Sequence, residues 1–298
     1  MQMKYLGTDS NDFLNGFFRE NGIWVSDGAQ DIATKFSEEE QEALYALEDT
    51  SWWFRYRSGV ISHFAGKYLS KKQLILDVGG GNGYTTMRMQ EKGYNMALLE
   101  PAYAACKNAR KRGIHTVICG TVKHKNVKDG SVPQILLLDV LEHIEDDVGF
   151  LKLLRQKLVP GGKILLTVPA FRILWSSEDE AAGHFRRYSL RQVEESAVKA
   201  GFTVAYASYF FGFLFLPVLF VRVGLEKIGI LKRSEKRTAE EKKEIGRKQF
   251  QERRGLVRAI LSILERRELC KLLKNKRVFF GSSVLCILEN DSSCERRP

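Results

Sequence analysis

The sequence predicts an α/β fold in which seven mostly parallel strands form one doubly wound sheet. Short apolar runs of strand length alternate with helical segments between residues 72 and 210, the pattern of a parallel sheet with helices on both faces. The first of these runs ends in a glycine-rich loop. Hydrophobic residues make up 44% of the chain and charged residues 28%, so a sizeable core can form.

Residues 1–70, which precede the first apolar run, are predicted to be mostly helical. Ser37 can cap a helix whose third residue, Glu40, can return a hydrogen bond to the cap. A dense group of aromatic residues follows at 52–64, in the sequence WWFRYRSGVISHF. We therefore assign 1–70 to an N-terminal helical segment, distinct from the sheet-forming core at 71–210.

The core supplies six strands and the helices between them. Each predicted strand is an apolar run, as buried parallel strands require. These runs cover 74–78, 95–101, 115–120, 134–140, 163–169 and 202–210. The predicted helices, which end at glycines, cover 84–93, 102–113, 146–162 and 189–201. Right-handed crossovers place the carboxyl ends of parallel strands on one rim, where ligands bind.

Residues 211–277 interrupt this alternation before a last strand at 278–290 and a tail at 291–298. The run 211–221 is almost wholly apolar, but a bilayer span takes about 20 apolar residues. It is therefore either a core helix or a segment that lies in a membrane interface. Residues 256–273 predict an amphipathic helix that packs on the domain or covers the substrate entrance.

The net charge of +11 is confined to this insertion. Residues 222–277 hold 19 Lys and Arg against eight Asp and Glu, whereas the rest of the chain carries equal numbers of both signs. Lysine and arginine are attracted to anionic head groups, so we expect 209–277 to contact an anionic membrane surface. The alternative is a solvated helix with ion pairs four residues apart, and such pairs occur at 236–249.

The cysteines and the first residues indicate the compartment. Five cysteines are scattered without a Cys-x-x-Cys pair, so we predict neither a disulfide framework nor a metal site. The first residues lack a basic stretch followed by an apolar one, so we expect no signal peptide there. These features favour a cytoplasmic protein, peripheral on the membrane if the insertion binds it.

The loop after the first strand, DVGGGNG at 77–83, is the strongest functional signal. Glycines let the backbone approach a ligand without Cβ clashes, and the next helix N-terminus offers unpaired N–H groups. Its spacing, Asp-x-Gly-x-Gly-x-Gly, differs from the dinucleotide fingerprint Gly-x-Gly-x-x-Gly, because residue 84 is Tyr. A phosphate loop ending in Gly-Lys-Ser/Thr is also absent.

The loop resembles motif I of the class I S-adenosylmethionine (SAM)-dependent methyltransferases. The runs LLLDVLEHIEDD at 136–147 and LVPGGKILLTVP at 158–169 resemble the region after motif I in many small-molecule and lipid methyltransferases. The resemblance covers about residues 50–205 and, more weakly, 278–290. It implies a Rossmann-like methyltransferase fold with SAM as the cofactor.

The resemblance also implies which residues of the loop and of the second strand bind SAM. Asp77 and the backbone of Gly79, Gly81 and Gly83 would hold its methionine part. Glu100, which ends the second strand, would accept hydrogen bonds from the ribose hydroxyls.

Four further residues are expected in the SAM pocket. Asp139 and Val140 follow the fourth strand, where the family lines its pocket, and Thr121 stands where relatives often place an Asp that accepts the adenine amino group. Related aromatic–arginine segments form a lid helix, in which Arg57 would point toward the SAM carboxylate. The alternative, compatible with the first, is a helix that packs the tryptophans at 52–53 on the core.

Two histidines are candidate general bases on the ligand rim. Methyl transfer mainly needs alignment, but an oxygen or nitrogen acceptor also needs a proton removed. His143 follows the fourth strand, and His184 lies in the loop at 175–189; we favour His184. The alternatives are a structural hydrogen bond for His143 and an exposed pairing with neighbouring carboxylates for His184.

The expected function is methyl transfer to a small-molecule acceptor, lipid-linked or otherwise apolar and reached at a membrane surface. A nucleic-acid methyltransferase is the first alternative, but Asn/Asp-Pro-Pro-Tyr and Pro-Cys motifs are absent and aromatic residues are not interleaved with the basic run. Nucleic acid is therefore not an expected partner. A protein that binds SAM without transfer is the second alternative. The sequence does not indicate an oligomeric state.

Overall fold

The structure is a computed structural model that describes residues 17–26, 37–123, 127–224, 228, 256–274 and 276–291. Its strands are β1 (Phe18–Glu20), β2 (Ile23–Val25), β3 (Leu74–Val78), β4 (Asn95–Glu100), β5 (Thr116–Cys119), β6 (Val132–Leu138), β7 (Leu158–Pro169), β8 (Thr203–Phe210) and β9 (Ser283–Glu289).

Helices flank these strands on both faces. They are α1 (Glu38–Thr50), α2 (Trp52–Tyr68), α3 (Tyr84–Glu91), α4 (Tyr103–Lys111), α5 (Asp147–Lys157), α6 (Ser177–Ala181), α7 (Leu190–Lys199), α8 (Gly212–Pro217) and α9 (Leu256–Leu273). Short 3₁₀ turns occupy Leu141–His143 and Arg172–Leu174, and a π-helical turn, Val218–Gly224, continues α8.

One sheet connects all nine strands in the order β1-β2-β5-β4-β3-β6-β7-β9-β8. The strands from β2 to β7 are parallel to one another, whereas β9 runs antiparallel to both β7 and β8. The predicted doubly wound α/β fold with seven core strands is therefore confirmed. The carboxyl ends of β3, β4, β5, β6 and β7 share one rim, which positions the site described below.

The two additional strands form an N-terminal hairpin that the sequence analysis did not predict. Asn21 and Gly22 both have positive φ and turn β1 back onto β2. The hairpin joins the sheet because Trp24 and Val25 pair with Ile118 and Cys119 of β5. The segment 1–70 is thus helical only in part, since α1 and α2 follow this hairpin.

The structure has the helix start predicted at Ser37 and the helix ends predicted at Gly93 and Gly113. Ser37 caps α1 by accepting from the Glu40 N–H, while the Glu40 carboxylate accepts from the Ser37 N–H. Gly93 and Gly113 have positive φ directly after α3 and α4. Such a residue ends a helix without the strain that a Cβ would introduce.

The core has a layer on each face of the sheet. On one face, α2 contributes side chains that are fully buried against the strands: Val60, Ile61 and Phe64. On the other face, α5 and α7 contribute Leu151, Leu154, Val193 and Ala197. Burial on both faces explains why the strands are continuous apolar runs.

The predicted helix at 146–162 is shorter in the structure. It ends at Lys157, and β7 begins at Leu158 and continues through Pro-Gly-Gly. The reason is pairing with the chain after β9, because the Gly161 N–H donates to the Asn290 carbonyl and the Asn290 N–H donates to the Gly162 carbonyl.

The insertion between β8 and β9 is only partly packed. In the apolar run 211–221, Leu216 is 56% exposed and Phe220 66% exposed, so it is not a buried core helix. The helix α9 buries Leu272 but exposes Ile260 and Ile263, so it packs on the domain mainly through its last turns. Residues 225–227 and 229–255, which carry most of the predicted basic stretch, lie outside the described residues, as does most of the tail.

No helix within the described part of the chain is both long enough and apolar enough to span a bilayer.

Candidate active site

The glycine loop turns sharply at the carboxyl end of β3. Gly79 and Gly81 have φ values of 72° and 53°, a conformation that glycine adopts without strain. The Gly79 N–H donates to the Leu99 carbonyl at 2.8 Å, which ties the loop to β4. A Cβ on Gly81 would meet nothing within 4 Å, so the backbone there is open.

This open backbone borders a cavity of about 230 Å³ at the carboxyl ends of β3 and β6. Its lining combines the loop backbone, side chains of α2 and carboxylates at strand ends: Glu48, Trp53, Phe54, Arg57, Asp77, Gly79, Gly80, Gly81, Tyr84, Thr85, Leu138 and Asp139. Five of the predicted cofactor residues are among them. A depression of about 260 Å³ between Asp147 and Lys199 contains none of those residues.

Asp77 is buried beneath the glycine loop with one oxygen unsatisfied. The side chain is 1% exposed, the Thr86 hydroxyl donates to Oδ2, and Oδ1 has no hydrogen-bond partner among the described residues. Burial raises the pKa of Asp77 to about 6. An unsatisfied buried acceptor is unfavourable, so a positively charged ligand group at Oδ1 would be strongly preferred.

Glu100 is fixed against the loop by two backbone donors. Its Oε2 accepts from the Gly81 N–H at 3.0 Å and its Oε1 accepts from the Ala102 N–H at 2.9 Å. Burial raises the pKa of Glu100, although these two donors act in the opposite direction. Each carboxylate oxygen can accept a second hydrogen bond, so the side chain remains able to accept from ligand hydroxyls.

Arg57 of α2 forms a buried network with the ends of β6 and β7. Its Nη2 lies 2.7 Å from Asp139 Oδ2 and donates to Thr167 Oγ1 at 3.1 Å. The Thr167 hydroxyl also donates to Asp139 Oδ1 at 3.0 Å. The Arg57 Nε is buried without a hydrogen-bond partner among the described residues, so this guanidinium can still bind a carboxylate.

The residues present therefore fit SAM. Asp77 offers an orphaned anionic oxygen, Arg57 offers an orphaned cationic donor, and Gly81 leaves open space between the glycine loop and the cavity. These are the complements of an ammonium group, a carboxylate and a bulky ligand.

Four predicted cofactor residues are not part of the cavity lining: Glu100, which contacts the glycine loop as described above, and Gly83, Val140 and Thr121. Gly83 does not line the cavity: a Cβ there would collide with the Ile114 side chain, so the residue allows α3 to pack on the core. Val140 packs behind Gly79, since a Cβ on Gly79 would lie 2.6 Å from Val140 Cγ2. Thr121 is half-buried directly after β5, at the same rim but outside the cavity lining.

The two candidate histidines meet on this rim. The ring centroids of His143 and His184 are 4.7 Å apart, at an interplanar angle of 75°. His184 Nδ1 lies 2.9 Å from Asp179 Oδ1, and the Arg187 Nε donates to that same oxygen at 2.8 Å. The loop at 175–189 therefore faces the end of β6, as the sequence predicted, although His184 is mostly buried rather than exposed.

Several site residues were missed by the sequence analysis. Glu142 is 1% exposed beside His143, and burial raises its pKa well above the ordinary value. Thr167 and Asp179 contact predicted residues only because of the register of β6 with β7 and the fold of the 175–189 loop. Glu142 had a sequence signal, since it directly precedes His143 after a strand end. Asp179 also had one, because its contact with His184 is the carboxylate pairing given above as the alternative for that histidine.

Comparison with known protein families gives one match that covers just over half of the chain. Residues 53–207 match the family described as "Methyltransferase domain".

Among curated proteins, ubiquinone biosynthesis O-methyltransferases of Xanthomonas oryzae pv. oryzae are 27% identical over 99 residues, which is 31% of this chain and 41% of the relative. The alignment thus spans less than half the length of these relatives.

Solved structures show the same fold at low sequence identity. Phosphoethanolamine N-methyltransferase 2 of Haemonchus contortus, in complex with SAM, gives a TM-score of 0.54 at 14% identity, covering 89% of this chain and 60% of that chain. The complex between the Haloferax volcanii Trm112 methyltransferase activator and a methyltransferase gives a TM-score of 0.51 at 17% identity, covering 85% and 97%.

Proposed function

The chain belongs to the methyltransferase-domain family and is a class I SAM-dependent methyltransferase, and we propose that its acceptor is a small apolar or lipid-linked molecule reached at a membrane surface. The observation that carries the proposal is an exposed apolar surface formed by side chains of the segment after β8 and of the segment before β9. We name it the apolar edge and define it by Leu216, Phe220, Phe279 and Phe280.

In this proposal the chain's own residues fix the cofactor. SAM, when bound, supplies a methyl group on a positively charged sulfur. Asp77 receives the ammonium group at its unpaired Oδ1, and Arg57 receives the carboxylate. Glu100 accepts from the ribose hydroxyls while the Gly81 N–H holds it in place. These contacts would align the methyl group with the acceptor, because an in-line displacement needs the reacting atoms at a fixed geometry.

His184 is the proposed residue for the acceptor proton. The Asp179 carboxylate accepts from Nδ1–H, which leaves the lone pair on Nε2 directed away from Asp179. The Arg187 Nε donates to the same oxygen of Asp179. A histidine held by a carboxylate in this way is oriented to remove a proton from a hydroxyl or an amine.

Aromatic contacts connect the cavity to the start of α8, and α8 to the apolar edge. Trp53 lines the cavity and stacks on Phe211, the residue before α8, with ring centroids 5.4 Å apart and planes 7° apart. Along α8, Phe215 lies 6.1 Å from Phe280. These contacts support the approach of an apolar acceptor from this side of the cavity.

The exposed fractions along this edge are unusual for a surface in contact with water alone. Phe279 is 86% exposed, Phe220 66%, Leu216 56% and Phe280 54%. Clustered exposed apolar side chains mark interaction sites.

Exposed basic side chains occur on α9 and on the segment that leads to Phe279. The exposed cations of α9 and the segment after it are Arg266, Arg267, Lys271, Lys274, Lys276 and Arg277. Aromatic residues flanked by lysine and arginine are the composition that binds an anionic membrane interface. The printed role of the Xanthomonas relatives, O-methylation in ubiquinone biosynthesis, supports an oxygen acceptor.

The test is co-sedimentation of the full chain with vesicles of phosphatidylcholine alone and of phosphatidylcholine with phosphatidylglycerol. We expect binding to the anionic vesicles, reduced about tenfold or more by Phe279→Ser with Phe280→Ser, because burial of two aromatic side chains is lost. Phe18→Ser is the matched control, since Phe18 is 46% exposed in β1 at the opposite edge of the sheet.

Equal loss of binding in the Phe18 variant, or no binding of the unmodified chain to either vesicle, would contradict the membrane proposal. The assignment to the methyltransferase family would be unaffected.

A further inference from the structure

We propose that Glu142, His143 and His184 bind one divalent transition-metal ion on the rim beside the cofactor cavity. Each residue offers one ligand atom, and these atoms all lie within 4.8 Å of one another. Zinc-type ligands stand about 2.0–2.2 Å from the ion, so small side-chain rotations bring all three to bonding distance. The proposal departs from the sequence expectation, which included no metal site.

The first support is the unsatisfied carboxylate of Glu142. The residue is 1% exposed, and its Oε2 has no hydrogen-bond partner among the described residues. A buried anionic oxygen is strongly unfavourable unless it is paired or coordinates a metal. A carboxylate oxygen of Glu142 lies within 4.8 Å of a ring nitrogen of each of the two histidines.

The nearby arginines do not satisfy this carboxylate, because each is bound to another. Arg57 lies 2.7 Å from Asp139, and Arg187 lies 2.8 Å from Asp179. These two pairs balance their own charges. Neither arginine forms an ion pair with Glu142 among the described residues, and a divalent cation would complement the ionised form of its carboxyl group.

The second support is the orientation of His184. Metal-bound histidines almost always donate their other ring N–H to a carboxylate or carbonyl, which fixes the tautomer and raises the basicity of the ligating nitrogen. His184 makes this contact through Nδ1 to Asp179, which is 1% exposed. Nε2 is therefore the nitrogen available to the ion.

The ligand types indicate which ions the site prefers. One carboxylate and two imidazoles suit Zn²⁺, Mn²⁺, Fe²⁺ or Co²⁺, whereas Mg²⁺ and Ca²⁺ prefer oxygen ligands throughout. Three protein ligands leave coordination positions open, as in catalytic rather than structural metal sites.

An open coordination position of the ion can be occupied by the acceptor. Asp139, which lines the cavity, precedes Glu142 by three residues, so the ion would lie near the end of β6 that borders the cavity. An acceptor hydroxyl bound to the ion loses its proton to water more readily. His184 then serves as a ligand, and the ion takes over the activation of the oxygen. This use rests on the proposed function, whereas metal binding itself does not.

The test is titration of the untagged, chelator-treated full chain with Co²⁺, followed by its visible absorption. We expect one saturable equivalent, with affinity reduced about tenfold or more in Glu142→Gln and in His184→Ala. His115→Ala is the matched control, because His115 is an exposed histidine outside the cluster, and its affinity should match the unmodified chain. Calorimetric SAM binding by each variant shows that the fold is intact.

Absence of saturable Co²⁺ binding in the unmodified chain would overturn the proposal, as would equal affinity in a SAM-binding His184→Ala variant. If Glu142→Gln loses SAM binding by misfolding, His184→Ala decides the result, because its side chain lies in a loop. Neither outcome depends on the acceptor or on vesicle binding, so failure of the metal site is distinguishable from failure of the proposed function.

Discussion

At the scale of single residues, the cofactor site depends on charged groups that the apo protein leaves incompletely paired. Asp77 and Arg57 each keep one buried polar atom without a partner among the described residues. Such groups lower the stability of the apo protein and raise its affinity for a ligand that completes them. Binding groups of this kind are recognised by their burial and their missing partners.

Asp77 predicts a pH dependence of apo stability. Its pKa rises from 3.8 in the unfolded chain to about 6 in the folded chain, so the folded protein binds more protons between these values. The free energy of unfolding should therefore fall by about 3 kcal/mol as pH rises through this window. In Asp77→Asn this part of the fall should be absent, as measured by urea unfolding from pH 3.5 to 7 without SAM.

The same ionisation acts in the opposite direction on SAM binding, because the ammonium group prefers the charged carboxylate. SAM affinity of the unmodified chain should rise as pH increases through about 6, and Asp77→Asn should show weak binding that does not follow this rise. An unchanged affinity in Asp77→Asn would remove Asp77 from the site.

At the scale of elements, two glycines of the loop between β3 and α3 have different roles. Gly81 borders open space, whereas Gly83 lies against Ile114 and Ala109 of the core. Both have positive φ, so the backbone strain of a substitution is similar at the two positions. What differs is the surroundings that a new methyl group would meet.

We predict that substitutions of these two glycines affect protein stability and SAM binding to different extents. Gly83→Ala should lower the free energy of unfolding by about 2–4 kcal/mol, because a strained φ is combined with overpacking. Gly81→Ala should lower it by only about 1 kcal/mol yet weaken SAM binding more, since its methyl group enters the cavity side. Urea unfolding and calorimetry of both variants measure the two effects, and the reverse ranking would contradict this division.

Elements also differ in how well local sequence predicted them. The capping box of α1 and the glycine ends of α3 and α4 are local signals, and the structure has them. The β1–β2 hairpin was missed even though Asn-Gly at 21–22 is a strong hairpin signal, because each strand has only three residues. The exposed face of α9 was missed because helical periodicity does not reveal what a helix packs against.

At the scale of the whole molecule, α1 is attached to the core across the cofactor cavity. Arg112, at the end of α4, donates to Glu48 of α1 at 2.9 Å, and both side chains are buried. Glu48 also lines the cavity, and burial raises its pKa to about 7. An exposed ion pair, Lys107 with Glu38, links the same two helices at 2.7 Å. This arrangement supports a lid role for the N-terminal helices, which we propose.

The two ion pairs predict unequal effects. Arg112→Ala should lower the free energy of unfolding by about 3–5 kcal/mol, since it leaves Glu48 buried and unpaired. It should also weaken SAM binding, because α1 loses its attachment over the cavity. Lys107→Ala, the matched control, should change stability by less than about 1 kcal/mol. Equal effects in urea unfolding would contradict the larger contribution assigned to the buried pair.

The sequence by itself determined the α/β fold through short-range patterns, and it indicated the cofactor through the resemblance of its glycine loop to motif I of the SAM-dependent methyltransferases. Apolar runs, helix caps and the spacing of the loop at 77–83 each involve neighbouring residues. Asp77, Gly79 and Gly81 border the cavity for this reason, together with Arg57 and Asp139.

Only the tertiary structure determines how the two histidines and the Arg57 network are arranged. His184 meets His143 because the chain after β7 returns over the end of β6, where the Phe185 N–H donates to the Glu142 carbonyl at 2.8 Å. The contacts of Arg57 with Asp139 and Thr167 likewise join three separate elements. No local pattern encodes such contacts, because they depend on how strands and loops pack across distances of many residues.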